Sequence, residues 1–192
     1  FCQTLEKAVS LAQKNYIVTL GIVPDSPHTG YGYIKKAGSL QDGFKVERFI
    51  EKPPQKKADT FFHSGDYLWN AGIFIFKAHQ YLLELKQHAP EIYKACKESI
   101  NTSTHNNNVI SPNALSFSAC PGESIDYAVL ENSQNVAVVP FEGSWNDIGS
   151  FSSLWDEMNK DKKGNAVAGN GAVYNIDTTD SLIYADDALV TT

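Results

Sequence analysis

Apolar residues along most of the chain alternate between helical and strand-like spacing. From Leu5 to Ala12 they recur at helical intervals, which predicts an amphipathic helix over residues 2–14. The β-branched run from Tyr16 to Ile22 then predicts a buried strand. The alternation continues, with strands predicted at 32–36, 44–51, 68–77 and 135–141 and helices at 56–63, 79–100 (broken at Pro90) and 150–159. Strands interleaved with helices indicate an α/β fold.

Two segments depart from this pattern. Residues 101–120 are polar and irregular, which predicts a mobile surface loop. The charged run 160–164 predicts a domain boundary, so that the domains would be 1–160 and 161–192. Beyond that boundary, short strand candidates are separated by Gly, Asn and Asp and fit the rungs of a small β-solenoid or a sandwich: 166–168, 172–176 and 181–184.

Composition narrows the range of functions. The 192 residues include 16 Lys and Arg against 22 Asp and Glu, a net charge of −6 with no basic run, which argues against nucleic-acid binding. The densest apolar stretch, residues 71–76, is far shorter than the roughly 18 residues of a membrane span, so no membrane association is predicted. Three widely spaced cysteines without a CxxC pair favour reduced thiols and a cytoplasmic location.

A glycine motif lies where a loop meets a predicted strand. In the segment Thr29 to Tyr33, two glycines flank Tyr31. Because glycine lacks a Cβ, the backbone at Gly32 can approach a ligand closely, although a tight turn is the alternative interpretation. Neither this GxG nor the one at 169–171 continues to a third glycine or to Gly-Lys-Ser/Thr, so no complete phosphate-binding loop is present.

Glu51 and Lys52 stand at the end of a predicted strand, directly before two prolines. Strand alternation would place Glu51 on one face and Lys52 on the other. A carboxylate there could accept hydrogen bonds from sugar hydroxyls, and an ammonium could bind a phosphate. The alternative is a solvated charge pair.

Three more polar side chains are candidates. Asn70 directly precedes Ala-Gly and an apolar strand, so its amide points into a cleft or caps a turn. Asp147, in Trp-Asn-Asp-Ile-Gly-Ser, could bind Mg²⁺, because hard cations take carboxylate oxygens, or it could cap a helix. The same two alternatives hold for Asp126. No HxH, HxxH or HExxH spacing occurs, so no zinc site is predicted.

Taken in order, these motifs closely resemble the mannose-1-phosphate guanylyltransferases (GDP-mannose pyrophosphorylases), especially the bacterial type that is often fused to a phosphomannose isomerase. The resemblance covers residues 1 to about 160. It is carried by six blocks, which are Leu20 to Ile22, Thr29 to Ile34, Phe49 to Pro53, Asn70 to Phe74, Ser124 to Glu131 and Trp145 to Ser150.

The resemblance implies a Rossmann-like nucleotidyltransferase sheet domain, incomplete at its N-terminus, followed by the start of a β-solenoid-like segment. Such an enzyme joins GTP and mannose 1-phosphate into GDP-mannose and pyrophosphate with Mg²⁺. The family's Gly-rich, Arg-containing phosphate loop and a second metal-binding Asp would lie before Phe1. We therefore expect a fragment that supplies the sugar-phosphate half of the site, inactive without the upstream segment, with a β-rich tail that could form a homo-oligomer.

Carried over residue by residue, the resemblance implies a role for each candidate: Gly32 approaches the sugar through its backbone, Glu51 binds mannose hydroxyls, Lys52 binds the sugar phosphate, Asn70 binds another part of the sugar, Asp126 supports the site and Asp147 binds Mg²⁺. In-line attack on the α-phosphorus needs positioning and charge neutralisation, which makes Lys52 and Asp147 the candidate catalytic residues. A thymidylyl- or uridylyltransferase and a non-catalytic sugar-phosphate-binding or regulatory module stay open as alternatives.

Overall fold

The computed structural model describes residues 1–192, which form two compact units, Phe1–Gly143 and Ser144–Thr192. The boundary between the two units falls before the last helix, whereas the charged run that predicts a domain boundary lies at residues 160–164. The two predicted domains, 1–160 and 161–192, stay a prediction.

The first unit alternates helices and strands along the chain, which confirms the α/β prediction. Its elements are α1 (Cys2–Gln13), β1 (Ile17–Ile22), β2 (Tyr33–Leu40), β3 (Gly43–Ile50), α2 (Gln55–Ser64), β4 (Tyr67–Ile75), α3 (Ala78–His88), α4 (Pro90–Asn101), β5 (Thr104–Asn106), β6 (Val109–Ser111), α5 (Ala114–Ser118), a π-helix (Asp126–Leu130) and β7 (Val136–Phe141). The predicted break at Pro90 is confirmed, since this proline opens α4 at a position where its missing N–H costs nothing.

Five strands form a closed barrel in the order β1, β4, β2, β3 and β7. Only β1 and β7 pair in parallel; the other neighbours in the barrel are antiparallel. The short turn between β2 and β3 requires an antiparallel hairpin, because a parallel pair needs a long crossover connection. The barrel therefore differs from the mainly parallel sheet of a Rossmann-like fold.

The core lies on both sides of β1 and β7. Every residue of β1 is buried, as expected for a strand covered on both faces. One apolar cluster joins α1 to these two strands and contains Ala8, Leu11, Ala12, Val18, Leu20, Ala137 and Val139. The other joins them to α3 and the π-helix and contains, among others, Ile17, Leu85, Ala89, Val129, Val136 and Val138.

The predicted loop at 101–120 is wrong in part. Residues 104–111 form a hairpin of two three-residue strands, in which Asn107 adopts φ +51° at the turn. Asparagine tolerates this left-handed conformation and favours two-residue hairpin turns. Asn113 then caps α5 by accepting a hydrogen bond from the Ser116 N–H at 3.1 Å. The polar composition concealed these elements because they are short and exposed.

The second unit contains α6 (Phe151–Glu157), β8 (Ala166–Ala168), β9 (Ala172–Tyr174), β10 (Leu182–Tyr184) and β11 (Leu189–Thr191). β8 pairs in parallel with β10, and β9 with β11. Buried Asn165 lies just before β8 and is hydrogen-bonded to the segment just before β10. Its side-chain amide donates to the Thr178 carbonyl and accepts from the Ser181 N–H. The three strands predicted here are present, and β11 is a fourth that the sequence analysis missed.

None of the helices in residues 1–192 is both long enough and apolar enough to cross a membrane.

Candidate functional site

Three predicted site residues meet on adjacent strands of the barrel. Gly32 precedes β2, Glu51 follows β3, and Asn70 lies in β4. Tyr33, the first residue of β2, pairs with the last residue of β3 on one side and with Trp69 of β4 on the other. Because neighbours across antiparallel strands advance in opposite directions, the next step of this register brings together Gly32, Glu51 and Asn70.

Gly32 provides the space at this junction. Its carbonyl accepts the Asn70 backbone N–H at 2.8 Å. A Cβ at position 32 would lie 2.7 Å from Glu51 Oε2 and 3.4 Å from Asn70 Cβ. A larger residue at this position would therefore displace the Glu51 carboxylate.

Glu51 and Lys52 form an ion pair just after β3 ends, with Lys52 Nζ 3.0 Å from Glu51 Oε1. The prediction that the two side chains lie on opposite faces is wrong, because the strand stops at Ile50 and Lys52 adopts φ +41°. The Glu51 side chain is 13% exposed and that of Lys52 is 63% exposed. The hydrogen bond to Glu51 and the charge of its carboxylate raise the pKa of Lys52.

Asn70 makes three side-chain hydrogen bonds. Its Oδ1 accepts from Thr19 Oγ1 at 2.8 Å and from the Gly72 N–H at 3.2 Å. Its Nδ2 donates to Asp126 Oδ1 at 3.3 Å. The turn interpretation of Asn70 is confirmed, because the amide oxygen accepts the Gly72 N–H, and the amide nitrogen also reaches across to the π-helix. The interpretation that the amide points into a cleft stays a prediction.

Asp126 is the first residue of the π-helix, whose wider turn is closed by the Glu131 N–H donating to the Asp126 carbonyl at 2.9 Å. No side chain caps this helix start, so the capping alternative for Asp126 is wrong. Burial raises the pKa of Asp126, and the negative charge of Glu51 raises it further. Single π-helical turns are frequent at functional sites.

Two further residues that contact this site were not predicted from the sequence. Thr19 is fully buried in β1, and its only signal was one hydroxyl within an apolar strand. Glu131 accepts a hydrogen bond from the Glu51 backbone N–H at 3.4 Å. It stands at the end of a block that carried the family resemblance, but nothing in the block set it apart from an ordinary solvated carboxylate.

An aromatic cluster borders the same junction. The Tyr31 ring stacks on His28 with centroids 4.2 Å apart and meets the edge of Trp69 at 5.0 Å. The Tyr33 hydroxyl donates to the His28 carbonyl at 2.9 Å. These contacts hold the loop before Gly32 against the barrel.

Asp147 belongs to the second unit, and its placement relative to the other predicted site residues stays a prediction. It is exposed, and Oδ1 accepts the Gly149 N–H at 3.3 Å. The cap of α6 is Ser150, which accepts from the Ser153 N–H, so the capping alternative for Asp147 is wrong.

The junction in the first unit therefore combines hydrogen-bond acceptors, an exposed ammonium group and the space left by the absent side chain of Gly32. Glu51 and Asp126 contribute carboxylates, Lys52 contributes the ammonium, and Asn70 contributes an amide. Carboxylates accept hydrogen bonds from hydroxyl groups, and an ammonium attracts a phosphate. The arrangement is suited to a ligand with several hydroxyls and one anionic group.

Comparison with known proteins finds matches over most or all of this chain. The family model described as nucleotidyl transferase matches residues 1–164. The chain is 41% identical over 198 residues to the mannose-1-phosphate guanylyltransferase of Salmonella montevideo, a match that covers 100% of this chain and 41% of that protein. It is 40% identical over 193 residues to the alginate biosynthesis protein AlgA of Pseudomonas aeruginosa, covering 99% of this chain and 40% of that protein.

A solved structure has the same fold. The crystal structure of a protein from Thermus thermophilus, described as a mannose-1-phosphate geranyltransferase, matches with a TM-score of 0.82 at 28% identity. That match covers 98% of this chain and 54% of the other. The chain spans about two fifths of the length of the two curated relatives.

Proposed function

Because this chain belongs to the nucleotidyl transferase family, we propose that it supplies the sugar-phosphate half of the site in a mannose-1-phosphate guanylyltransferase. The reaction joins GTP and mannose 1-phosphate into GDP-mannose and pyrophosphate. The observation that carries the proposal is the convergence of Glu51 and Asn70 around Gly32, with Lys52 paired to Glu51. The names of the curated relatives favour guanosine and mannose as the two halves of the product.

Each residue has a role that its surroundings support. Glu51 is largely shielded from solvent, so its carboxylate can hold sugar hydroxyls in a fixed direction. The Lys52 side chain is exposed, so its ammonium can exchange Glu51 for the sugar phosphate as its partner. The charge of that phosphate must be neutralised as the new phosphate bond forms. Asn70 binds another part of the sugar. Asp126 supports Asn70 and adds a second carboxylate to the sugar side.

Magnesium is part of the proposal, with Asp147 as its candidate ligand. One Asp147 oxygen accepts the Gly149 N–H, and the exposed carboxylate keeps a second oxygen for a hard cation. Such an ion is usually bound by one or two carboxylates together with substrate phosphates, where it neutralises their negative charge.

The remaining parts of the proposal concern the segments on either side of this site. We propose that an upstream nucleotide-binding segment completes a Rossmann-like nucleotidyltransferase domain, and that the chain alone is inactive. The two parallel strand pairs of the second unit are proposed to begin a β-solenoid that serves self-association.

The three free cysteines of the chain suit a reducing, cytoplasmic environment.

The proposal is tested with the full-length protein in a coupled pyrophosphate-release assay with mannose 1-phosphate, Mg²⁺ and GTP, dTTP or UTP. Release with GTP supports the proposal, and a preference for dTTP or UTP would reassign the nucleotide. Binding of mannose 1-phosphate without release would instead identify a binding or regulatory module.

A matched pair of variants ties activity to this site. Lys52→Gln is expected to raise the KM for mannose 1-phosphate. Lys35→Gln removes a lysine from an exposed ion pair with Glu47 and is expected to change nothing. Equal effects of the two variants would contradict the assignment of Lys52.

A further inference from the structure

A buried hydroxyl in β1 is hydrogen-bonded to the side-chain amide of Asn70. Thr19 is 0% exposed, and its Oγ1 lies 2.8 Å from Asn70 Oδ1. The alternative acceptor, the Leu20 carbonyl, lies at 3.3 Å, so the shorter contact is the one to Asn70. Thr19 is hydrogen-bonded to the site through Asn70, which makes it a candidate positioning residue.

The contact arises from an irregularity between β1 and β4. The register advances two residues on β1, from Thr19 to Gly21, while β4 advances four, from Asn70 to Phe74. The additional residues bulge, and Gly72 takes φ +69°, a conformation that favours glycine. The Asn70 side chain enters this gap, where it meets both the Thr19 hydroxyl and the Gly72 N–H.

These partners leave one orientation for the amide. The Gly72 N–H can only donate, so it must face Oδ1, and the hydroxyl of Thr19 donates to the same oxygen. Nδ2 then faces the Asp126 carboxylate, an acceptor. That bond uses one of the two Nδ2 protons. The second Nδ2 proton is left for a ligand, on a side chain that borders Gly32, since a Cβ at position 32 would lie 3.4 Å from Asn70 Cβ.

We propose that Thr19 is a positioning residue that holds Asn70 as a hydrogen-bond donor to an oxygen of the bound sugar phosphate. The inference rests on the proposed function for the identity of the ligand, and it deepens that function by naming the chemistry of one contact. The ligand atom opposite Asn70 is an acceptor, either a hydroxyl or a phosphate oxygen. Without the Thr19 hydroxyl, the amide loses one of the two donors that hold its oxygen.

The test compares three variants of the full-length protein. Thr19→Val keeps the shape and removes the hydroxyl, Thr19→Ser keeps the hydroxyl, and Ile17→Val trims the same strand without reaching Asn70. We expect Thr19→Val to raise the KM for mannose 1-phosphate about tenfold, equivalent to about 1.4 kcal/mol, with little change in the KM for GTP. Thr19→Ser and Ile17→Val should stay near wild type.

A double mutant separates positioning from general destabilisation. On an Asn70→Ala background, Thr19→Val should cause no further rise in KM, because residues acting through one contact are not additive. A full additional rise would overturn the proposal, and so would a Thr19→Val enzyme with an unchanged KM. Deoxy-mannose 1-phosphates identify the acceptor, since the analogue lacking it should be insensitive to Thr19→Val.

Side-chain amide exchange gives a readout that does not depend on the reaction. The Asn70 NH₂ protons should exchange about tenfold faster in Thr19→Val than in wild type or Thr19→Ser. Unchanged exchange overturns the positioning role. If wild type neither binds nor converts mannose 1-phosphate, the proposed function fails, whereas the exchange measurement still decides whether Thr19 holds Asn70.

Discussion

At the scale of single residues, Gly32 shows how an absent side chain shapes a site. We predict that Gly32→Ala lowers affinity for mannose 1-phosphate at least about tenfold, because the new Cβ would lie 2.7 Å from Glu51 Oε2 and push the carboxylate aside. Stability should change little, because the atom that must move is the end of a side chain. Calorimetric titration of the full-length protein measures the affinity.

Gly38→Ala is the matched control for that prediction. Gly38 lies in the same strand, β2, and a Cβ there meets nothing within 4 Å. We expect wild-type affinity in this variant. A similar loss in both variants would show that the strand backbone, rather than the space beside Glu51, decides binding.

The second prediction at this scale concerns the carboxylate of Glu51. Glu51→Gln should weaken mannose 1-phosphate binding about tenfold and leave GTP binding unchanged, because an amide cannot replace a carboxylate as a double acceptor for hydroxyls. It also removes the group that raises the pKa of Lys52. Separate KM values for the two substrates check the result, with Glu47→Gln as the surface control.

A fall in GTP affinity alone would contradict this prediction. It would mean that Glu51 lies on the nucleotide side of the site and that the two sides assigned to this chain are reversed.

The sequence reveals some of these residues and conceals others. Glu51 and Asn70 stand out because each is a polar residue at the edge of a strand, within a block that resembles a known family. Thr19 does not stand out, because threonine is an ordinary strand residue and its partner is 51 positions away. Its role depends on the bulge at Gly72, which no local pattern near Thr19 indicates.

At the scale of elements, local signals predict segments better than their pairing. The apolar periodicity locates α1, β1 and β7 within a residue or two, and Pro90 divides α3 from α4. The closed order of the barrel could not be predicted, because it depends on contacts between strands far apart in the chain. The π-helix was also missed, since its apolar residues fit an ordinary helical turn equally well.

A buried carboxylate links two of these elements and gives the third prediction. Glu84 of α3 is 5% exposed, and its Oε1 accepts from Asn135 Nδ2, just before β7, at 2.7 Å. Burial alone would raise the pKa of Glu84, but hydrogen bonds from Asn135 and Ser133 and the neighbouring His88 lower it overall. We expect Glu84→Gln to reduce the free energy of unfolding by about 1–3 kcal/mol at pH 7.

The sign of the pH dependence follows from that lowered pKa. The folded state binds the Glu84 proton more weakly than the unfolded state, so its stabilisation is present above the unfolded pKa, about 4.3, and is lost as pH falls through the folded value. The stability difference between wild type and Glu84→Gln should therefore shrink below about pH 4. Urea unfolding across this range measures it.

Exposed Glu98 on α4 supplies the control for the pH series. Glu98→Gln should differ from wild type by less than about 0.5 kcal/mol at every pH. A constant difference between wild type and Glu84→Gln down to about pH 3 would show that the charge of Glu84 contributes nothing to stability.

At the scale of the whole molecule, the residues proposed for the reaction belong to both compact units. Gly32, Glu51, Lys52, Asn70 and Asp126 all lie in Phe1–Gly143. Asp147 lies in Ser144–Thr192, four residues before the α6 helix begins. The sequence motifs could nominate both sets of residues because each motif is local.

Asp147→Asn in the full-length protein tests the proposed metal role of Asp147. We expect kcat to fall at least about tenfold while the affinity for mannose 1-phosphate stays within about twofold, because an amide is a poorer ligand for Mg²⁺ than a carboxylate but leaves the sugar contacts in place. Raising the Mg²⁺ concentration should restore part of the activity. Asp156→Asn, an exposed aspartate of α6, should behave as wild type. An unchanged kcat and Mg²⁺ dependence in Asp147→Asn would remove this residue from the metal role and confine the proposed site to the first unit.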